Sequence, residues 1–381
     1  MRGRGRKIAK RRVPGRLFAK LGFIVAAIVL ALVPLPAAII ERYYSNAAFP
    51  IFQSGLTSIT NVTRAPLGEV LAVAILAGLA TWSMVRLKRA RGRRLKAAGL
   101  LLFDIVLAAA ILYIAFLTLW GFNYQREPLM RKLDYDDSRL SETSEHELWL
   151  SNIKRMNADS RLAHEEAWPA DEEWREQLFD TLKSVVVDLG NQTGIVEAIP
   201  KTSIADRFLG ATGVSGYTNP FGLEVILNSD LLPVERPFTL AHEWGHLAGF
   251  ADESEANFVA LLACARSEIP AIRYSAWLAI YPYLPLPRAL AERLAKGEKR
   301  EEILPQLAPE VVADLRAIAE RTKRRVSPAI SRMQGRVYDS FLKVNRVEAG
   351  IESYGLIVRL MLGTRFKDEW VPARCGNGLS Y

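Results

Sequence analysis

Cysteine and histidine are both scarce: the 381 residues hold two of the first and four of the second. Cys264 and Cys375 lie far apart with no CxxC pair, which argues against a thiolate metal site. One disulfide between them is compatible with an extracytoplasmic setting, and so are two unpaired thiols. Acids are nearly missing from the first quarter, where residues 1–96 carry 18 Lys and Arg against 2 carboxylates. The rest of the chain is mildly acidic. The overall charge of +9 therefore reflects position along the chain, not a nucleic-acid-binding surface. No internal repeat is present. Half of the residues are apolar, which sets aside a disordered chain.

Charge is also missing from three long apolar runs. Leu21–Ile40 has none, Pro66–Val85 has only Glu69, and Ala97–Trp120 has only Asp104. Each reaches the roughly 20 residues needed to cross a hydrocarbon core of about 30 Å. Backbone satisfaction in lipid makes each of them a helix. Nine basic residues fall within positions 1–20 and seven within 86–96. Short cationic loops stay cytoplasmic. The N-terminus is thus expected inside, the 41–65 loop outside, the 86–96 loop inside and everything after Trp120 outside. This topogenic role accounts for both basic runs, whereas an RNA-binding tail accounts for only the first. The first run is longer than the apolar core of a usual signal peptide and reads as an uncleaved anchor, with cleavage after PLPAA as the alternative. Asp104, an acid inside the third run, is expected to pair with the basic loop next to it.

The organisation that follows is a basic cytoplasmic tail over 1–20, a three-helix transmembrane region over 21–120 (spans 21–40, 66–85 and 97–120), and an extracytoplasmic domain over 121–381. Asp134–Asp180 reads as exposed helices or a connecting arm. Leu178–Leu189 has helical spacing and ends at Gly190, a natural C-cap. Gly190–Pro220 is loop-rich. Leu223–Asn228 (LEVILN) is short, rich in strand formers and bounded by turn residues, so a strand is expected. After Glu255 the chain reads as mostly helix. One or a few strands followed by helices indicate the α+β class, mainly helical with a small sheet.

Two of the four histidines fall in AHEWGHLAGFADESEANFVA, Ala241–Ala260. His242 and His246 are four apart, which on a helix puts both imidazoles on one face. Glu243 between them can reach a bound water without itself binding a metal. This is the HExxH arrangement of a Zn²⁺ site with a carboxylate general base. Pro237 can open the helix and Gly249 can close it. The competing account is a solvated helix face with two incidental histidines. A catalytic zinc needs a third protein ligand and an open position. Glu253 is the preferred candidate, with Glu255 and Asp252 as alternatives. Glu253 and Asn257 lie one helical turn apart, so Asn257, or Glu255, is available to orient the imidazoles. Tyr217 and Tyr354 are candidate oxyanion donors. The Leu223–Asn228 strand is a candidate for holding an extended peptide by strand addition.

HExxH followed by E-S-E-A-N resembles the gluzincin metallopeptidases and is similar to the E-x-E-A-D of the membrane-bound CAAX prenyl endopeptidases. That resemblance implies Glu253 on zinc and the residue at 257 behind a histidine, although this chain has Asn257 where those families have Asp. A wider resemblance covers most of the chain. The three N-terminal spans, GVSGYTNPFG (Gly213–Gly222), the HExxH stretch and VNRVEAGIESYG (Val344–Gly355) resemble an uncharacterised family of bacterial membrane proteins, domain of unknown function 3810. It implies a zinc-dependent peptidase domain on a multi-pass anchor in the bacterial inner membrane, with that domain periplasmic or extracellular. The expectation is a membrane-anchored zinc metallopeptidase binding one Zn²⁺ through His242, His246 and Glu253, with Glu243 as base. Its partners are a peptide or protein substrate and the lipid membrane, without nucleic acid. The alternative is a non-catalytic zinc-binding envelope scaffold or receptor.

Overall fold

The computed structural model describes residues 15–90, 94–165, 168–191 and 194–375. Positions 1–14 of the expected basic tail and 91–93 of the basic loop lie outside them. The chain forms two compact units, Met1–Leu35 with Val73–Thr118, and Pro36–Ala72 with Leu119–Tyr381.

The first unit is built on α1 (Gly15–Leu32) and on the apolar helices α3 (Leu67–Arg89) and α4 (Arg94–Leu119). Among the described residues, two helices, Leu67–Arg89 and Leu95–Leu119, are long and apolar enough to cross a membrane, and a third counts only if a bent pair is taken as one span. The first expected run, 21–40, is not one continuous helix. α1 stops at Leu32, and Pro34 and Pro36 just beyond it lack the N–H that would continue the helix. Asp104 pairs with Lys20 Nζ at 3.1 Å and with Arg86 Nη1 at 2.5 Å. Its partners therefore come from both basic runs.

The second unit holds the candidate site. The 41–65 segment, expected to be a loop, is helical as far as Thr60. A π-helix, Ile40–Ala48, runs into α2 (Phe49–Thr60), and Phe49, Gln53 and Thr57 are buried. Gln53 donates to Val196 O at 2.7 Å and Thr57 to Leu223 O at 2.8 Å, which fastens α2 against the sheet region. Beyond α4 come α5 (Glu142–Glu165), α6 (Asp171–Asp188) and the short α7 (Asp206–Thr212). Gly190, at φ +87°, ends the α6 region as its sequence implied.

The expected strand is β2 (Glu224–Leu227), paired antiparallel with β1 (Gly216–Asn219). Lys201 bridges the far side of β2, giving N–H to Val225 O and accepting from Leu227 N, both at 2.9 Å. Both edges of β2 are therefore taken, and strand addition there is sterically closed. The edge strand is β1. Asn228 N donates to Ser215 O, so the alternation of an antiparallel ladder turns the backbone groups of Gly216 and Thr218 away from β2.

α8 (Arg236–Leu247) carries Pro237 in its first turn and is followed by α9 (Glu253–Ala265), α10 (Pro270–Ile280), α11 (Pro309–Arg325), α12 (Pro328–Val344) and α13 (Ile357–Gly363). α9 is buried along all 13 residues. A helix covered on every side is apolar all round, as VALLACA is. Gly245 lets α8 and α9 close on each other: a Cβ there would stand 3.3 Å from Ala256 O. Cys264 is buried in α9 and Cys375 is exposed, and both are free thiols. A second hairpin, β3 (Phe366–Asp368) with β4 (Val371–Pro372), completes the unit.

Candidate metal centre

His242 and His246 lie on one face of α8, their ring centroids 4.7 Å apart. Helix periodicity alone brings them there. The chain then turns sharply. Gly249 takes φ +88°, a conformation that favours glycine, and its carbonyl accepts from Arg126 Nη1 at 2.8 Å. Asp252 caps α9, accepting from the N–H groups of Ser254 at 2.9 Å and Glu255 at 3.3 Å. This turn sets Glu253, the first residue of α9, opposite the two imidazoles. Glu253 Oε2 lies 3.2 Å from His242 Nε2 and 3.4 Å from His246 Nε2.

The hydrogen bonds behind the rings decide which ring nitrogens are free. His246 Nδ1 donates to Phe250 O at 2.8 Å. His242 Nδ1 is 2.8 Å from Asn257 Oδ1, and Asn257 Nδ2 donates to Tyr354 O. The amide orientation is thereby set, and the His242 ring must be the donor. Neutral imidazoles in these tautomers turn Nε2 lone pairs toward Glu253, whose Oε2 is buried with no hydrogen-bond partner. Three acceptors thus converge, all within 4.8 Å of one another. Only a cation or a shared proton relieves that arrangement. Burial disfavours the His246 imidazolium, but Glu253 outweighs burial and raises it to about 9. Glu253 is held well below the usual carboxylate range, burial being overcome by the two imidazoles.

The other sequence candidates land elsewhere. Glu255 points away from the cluster and accepts from Leu129 N at 2.6 Å, and burial with Asp252 nearby pushes its carboxyl up to about 7. Asp252 is occupied as a helix cap. Tyr217 donates to Glu69 and is thus committed away from the histidines. Tyr354 stacks on the His242 ring at 6.1 Å with 13° between planes, and burial lifts its hydroxyl pKa well above the ordinary value.

Glu243 stays out of the cluster. Its Oε2 accepts from Thr218 Oγ1 at 2.9 Å, and Thr218 Oγ1 is also 3.1 Å from Glu243 O. Burial raises its pKa against the pull of both imidazoles and the Thr218 hydroxyl. The edge strand β1 therefore grips the proton-accepting candidate, and among the described residues no other strand pairs with its outer edge.

Two contributors were not anticipated from sequence. Thr218 sits in the GVSGYTNPFG stretch beside Tyr217, and strand alternation puts it on the opposite face. Tyr338 of α12 donates its hydroxyl to Glu253 Oε1. No local motif marks it, because it arrives from 85 residues away along the chain.

The family described as protein of unknown function (DUF3810) matches residues 44–362. No curated protein and no solved structure matches the chain.

Proposed function

We propose, from the premise that this chain belongs to the DUF3810 family, that it is a membrane-anchored zinc metallopeptidase of HExxH type. The observation that carries the reading is the convergence of His242 Nε2, His246 Nε2 and the partnerless Glu253 Oε2 beside a separate buried carboxylate, Glu243. Those three atoms would hold the ion, a His₂Glu set of the kind zinc peptidases use. Bound zinc supplies a Lewis acid and a water acidified toward neutrality. Asp252 and Glu255 are engaged elsewhere, which favours three protein ligands and an open fourth position over the closed four-ligand site of a scaffold.

The chain's own groups do the rest. Glu243, buried and raised in pKa, takes a proton from the attacking water and passes it to the leaving amine. Thr218 holds that carboxylate in place through its hydroxyl. The outward backbone groups of Gly216 and Thr218 pair with an extended substrate. Asn257 and Phe250 O hold the imidazoles in the required tautomers. Tyr354, face to face with His242, is the candidate hydroxyl for stabilising developing negative charge, while the Tyr338 hydroxyl is engaged with Glu253.

The membrane placement follows the positive-inside rule, with the basic runs cytoplasmic and the site on the periplasmic or outer side of the bacterial inner membrane. The test is cleavage of a peptide library by the purified full chain, with zinc content measured alongside. Wild type should cleave. Glu243→Gln should keep its zinc and lose about 10²-fold or more in rate. Equal cleavage by both proteins contradicts the assignment of the base, and no cleavage by wild type carrying zinc contradicts the peptidase reading.

A further inference from the structure

α12 shows two opposed faces. Inward, Leu342 is fully buried and Tyr338 meets Glu253. Outward, Met333, Val337, Phe341 and Val344 are exposed, Val337 to 66% and Val344 to 75%. At roughly 100° per residue these four fall within an arc of about 80°. Arg332 and Arg336 line one flank of that arc, where Lys343 is paired with Asp339 at 2.8 Å. An apolar stripe with a cationic border on the outer side of a helix is the inverse of a soluble surface. It is the pattern of a helix lying in a lipid headgroup boundary.

The neighbours of this stripe say what covers it. α7 packs beside α12, with Ser327 N donating to Ala211 O at 2.9 Å, and it adds exposed Phe208, with exposed Ile204 just before it. Ile204 N donates to Glu69 Oε2 at 2.7 Å, and Ser203 Oγ to Glu69 Oε1 at 2.8 Å. Glu69 lies in the first turn of α3, one of the two helices able to cross a membrane. At the other end Phe341 packs edge to face on Tyr124 at 6.1 Å, and Tyr124 does the same on Trp120 at 5.1 Å. Trp120 is the residue at which the third apolar run ends, and its indole N–H donates to His246 O at 3.2 Å. The apolar band is thus tied at one end to the start of one span and at the other to the end of the next. Two span ends on the same side of a bilayer lie at one level, the headgroup level.

We infer that the outer face of α12, with α7, is seated in the outer leaflet of the membrane that the chain's own helices cross, so that the metal centre lies directly beneath a lipid-bound helix. This rests on the reading of α3 and α4 as membrane spans and does not depend on catalysis. The basic flank suits anionic lipid.

Single cysteines at Val337→Cys and Val344→Cys, in a Cys375→Ser background, would carry an environment-sensitive fluorophore. The full chain is reconstituted into phosphatidylcholine–phosphatidylglycerol vesicles with or without doxyl-labelled lipid. Lys296→Cys is the exposed polar control and Leu102→Cys the span control. Quenching at 337 and 344 severalfold above the Lys296 site, and strongest with shallow doxyl labels, is expected. Quenching at Leu102 with none at 337 or 344 overturns the inference and leaves the spans standing. Absence at Leu102 as well overturns the spanning reading, and this inference falls with it. Emission at 337 that shifts with protein concentration but not with doxyl lipid assigns the face to a second copy of the chain and also overturns it.

Discussion

At the scale of single residues, the state of His242 and His246 is decided by what stands behind them. Asn257 Oδ1 and Phe250 O each take an Nδ1 proton, and this leaves both Nε2 lone pairs for a ligand. Asn257→Ala removes one of these supports and leaves the Tyr354 carbonyl without its amide partner. Zinc affinity should fall by about 10–100-fold, read by competition with a chelating dye, while the fold measured by circular dichroism is kept. The histidine pair and Glu243 were legible in the sequence because helical spacing alone places them, and Glu253 because the Gly249 turn and the Asp252 cap that set it lie in the same short stretch. Glu253 and Asn257, four apart, share a face, while Glu255, two residues on, must point elsewhere and meets Leu129 N. Tyr338 was not legible, because its contact depends on how α12 folds back over α9. Tyr217 is turned to Glu69 by strand alternation, which brings its neighbour Thr218 to Glu243 instead.

Among the elements, the π-helix Ile40–Ala48 has the largest consequence that sequence did not announce. It buries Glu41, whose carboxylate accepts from Arg126 Nε at 2.9 Å, Arg126 Nη2 at 2.8 Å and Lys132 Nζ at 2.9 Å. Arg126 in turn holds the Gly249 carbonyl in the turn between α8 and α9. Hydropathy could mark where the apolar run stops but not that the next residues join the domain, because that depends on a carboxylate and two cations distant in sequence. Burial raises the Glu41 pKa, but Arg126 and Lys132 more than offset it, and the carboxyl falls from 4.5 to about 2. A depressed carboxylate stabilises the fold fully above its unfolded pKa and loses that contribution as pH falls through the folded one. Glu41→Gln leaves two buried cations uncompensated and should cost about 3–5 kcal/mol at pH 7. In urea unfolding of the detergent-solubilised chain, the gap between wild type and variant should narrow as pH drops below about 4.5 and nearly close near 2. A gap that is constant with pH would contradict an ionic role for Glu41. β2, α8 and the Gly190 and Gly249 turns, by contrast, were readable from local composition, since each depends on residues within a few positions.

The whole molecule joins apolar helices to a mainly helical unit with a small sheet. The α+β class and the apolar runs were plain in the sequence, because composition determines both. The helix break after α1 was hidden inside an apolar run whose two prolines the hydropathy reading passed over. If the basic runs are cytoplasmic, Cys375, exposed and unpaired, is on the outer side. A membrane-impermeant maleimide should label it in right-side-out vesicles and fail to do so in inside-out ones, with buried Cys264 silent in both, and the opposite pattern would reverse the topology. The account as a whole depends on one ion held by three side chains with a fourth position free. X-ray absorption at the zinc edge, on full chain purified with one equivalent of zinc, tests this most directly. The predicted result is a four-coordinate ion with two imidazole nitrogens, one carboxylate oxygen and one solvent oxygen, lost in Glu253→Ala. A chain that binds no zinc stoichiometrically, or an ion closed by four protein ligands, would contradict it.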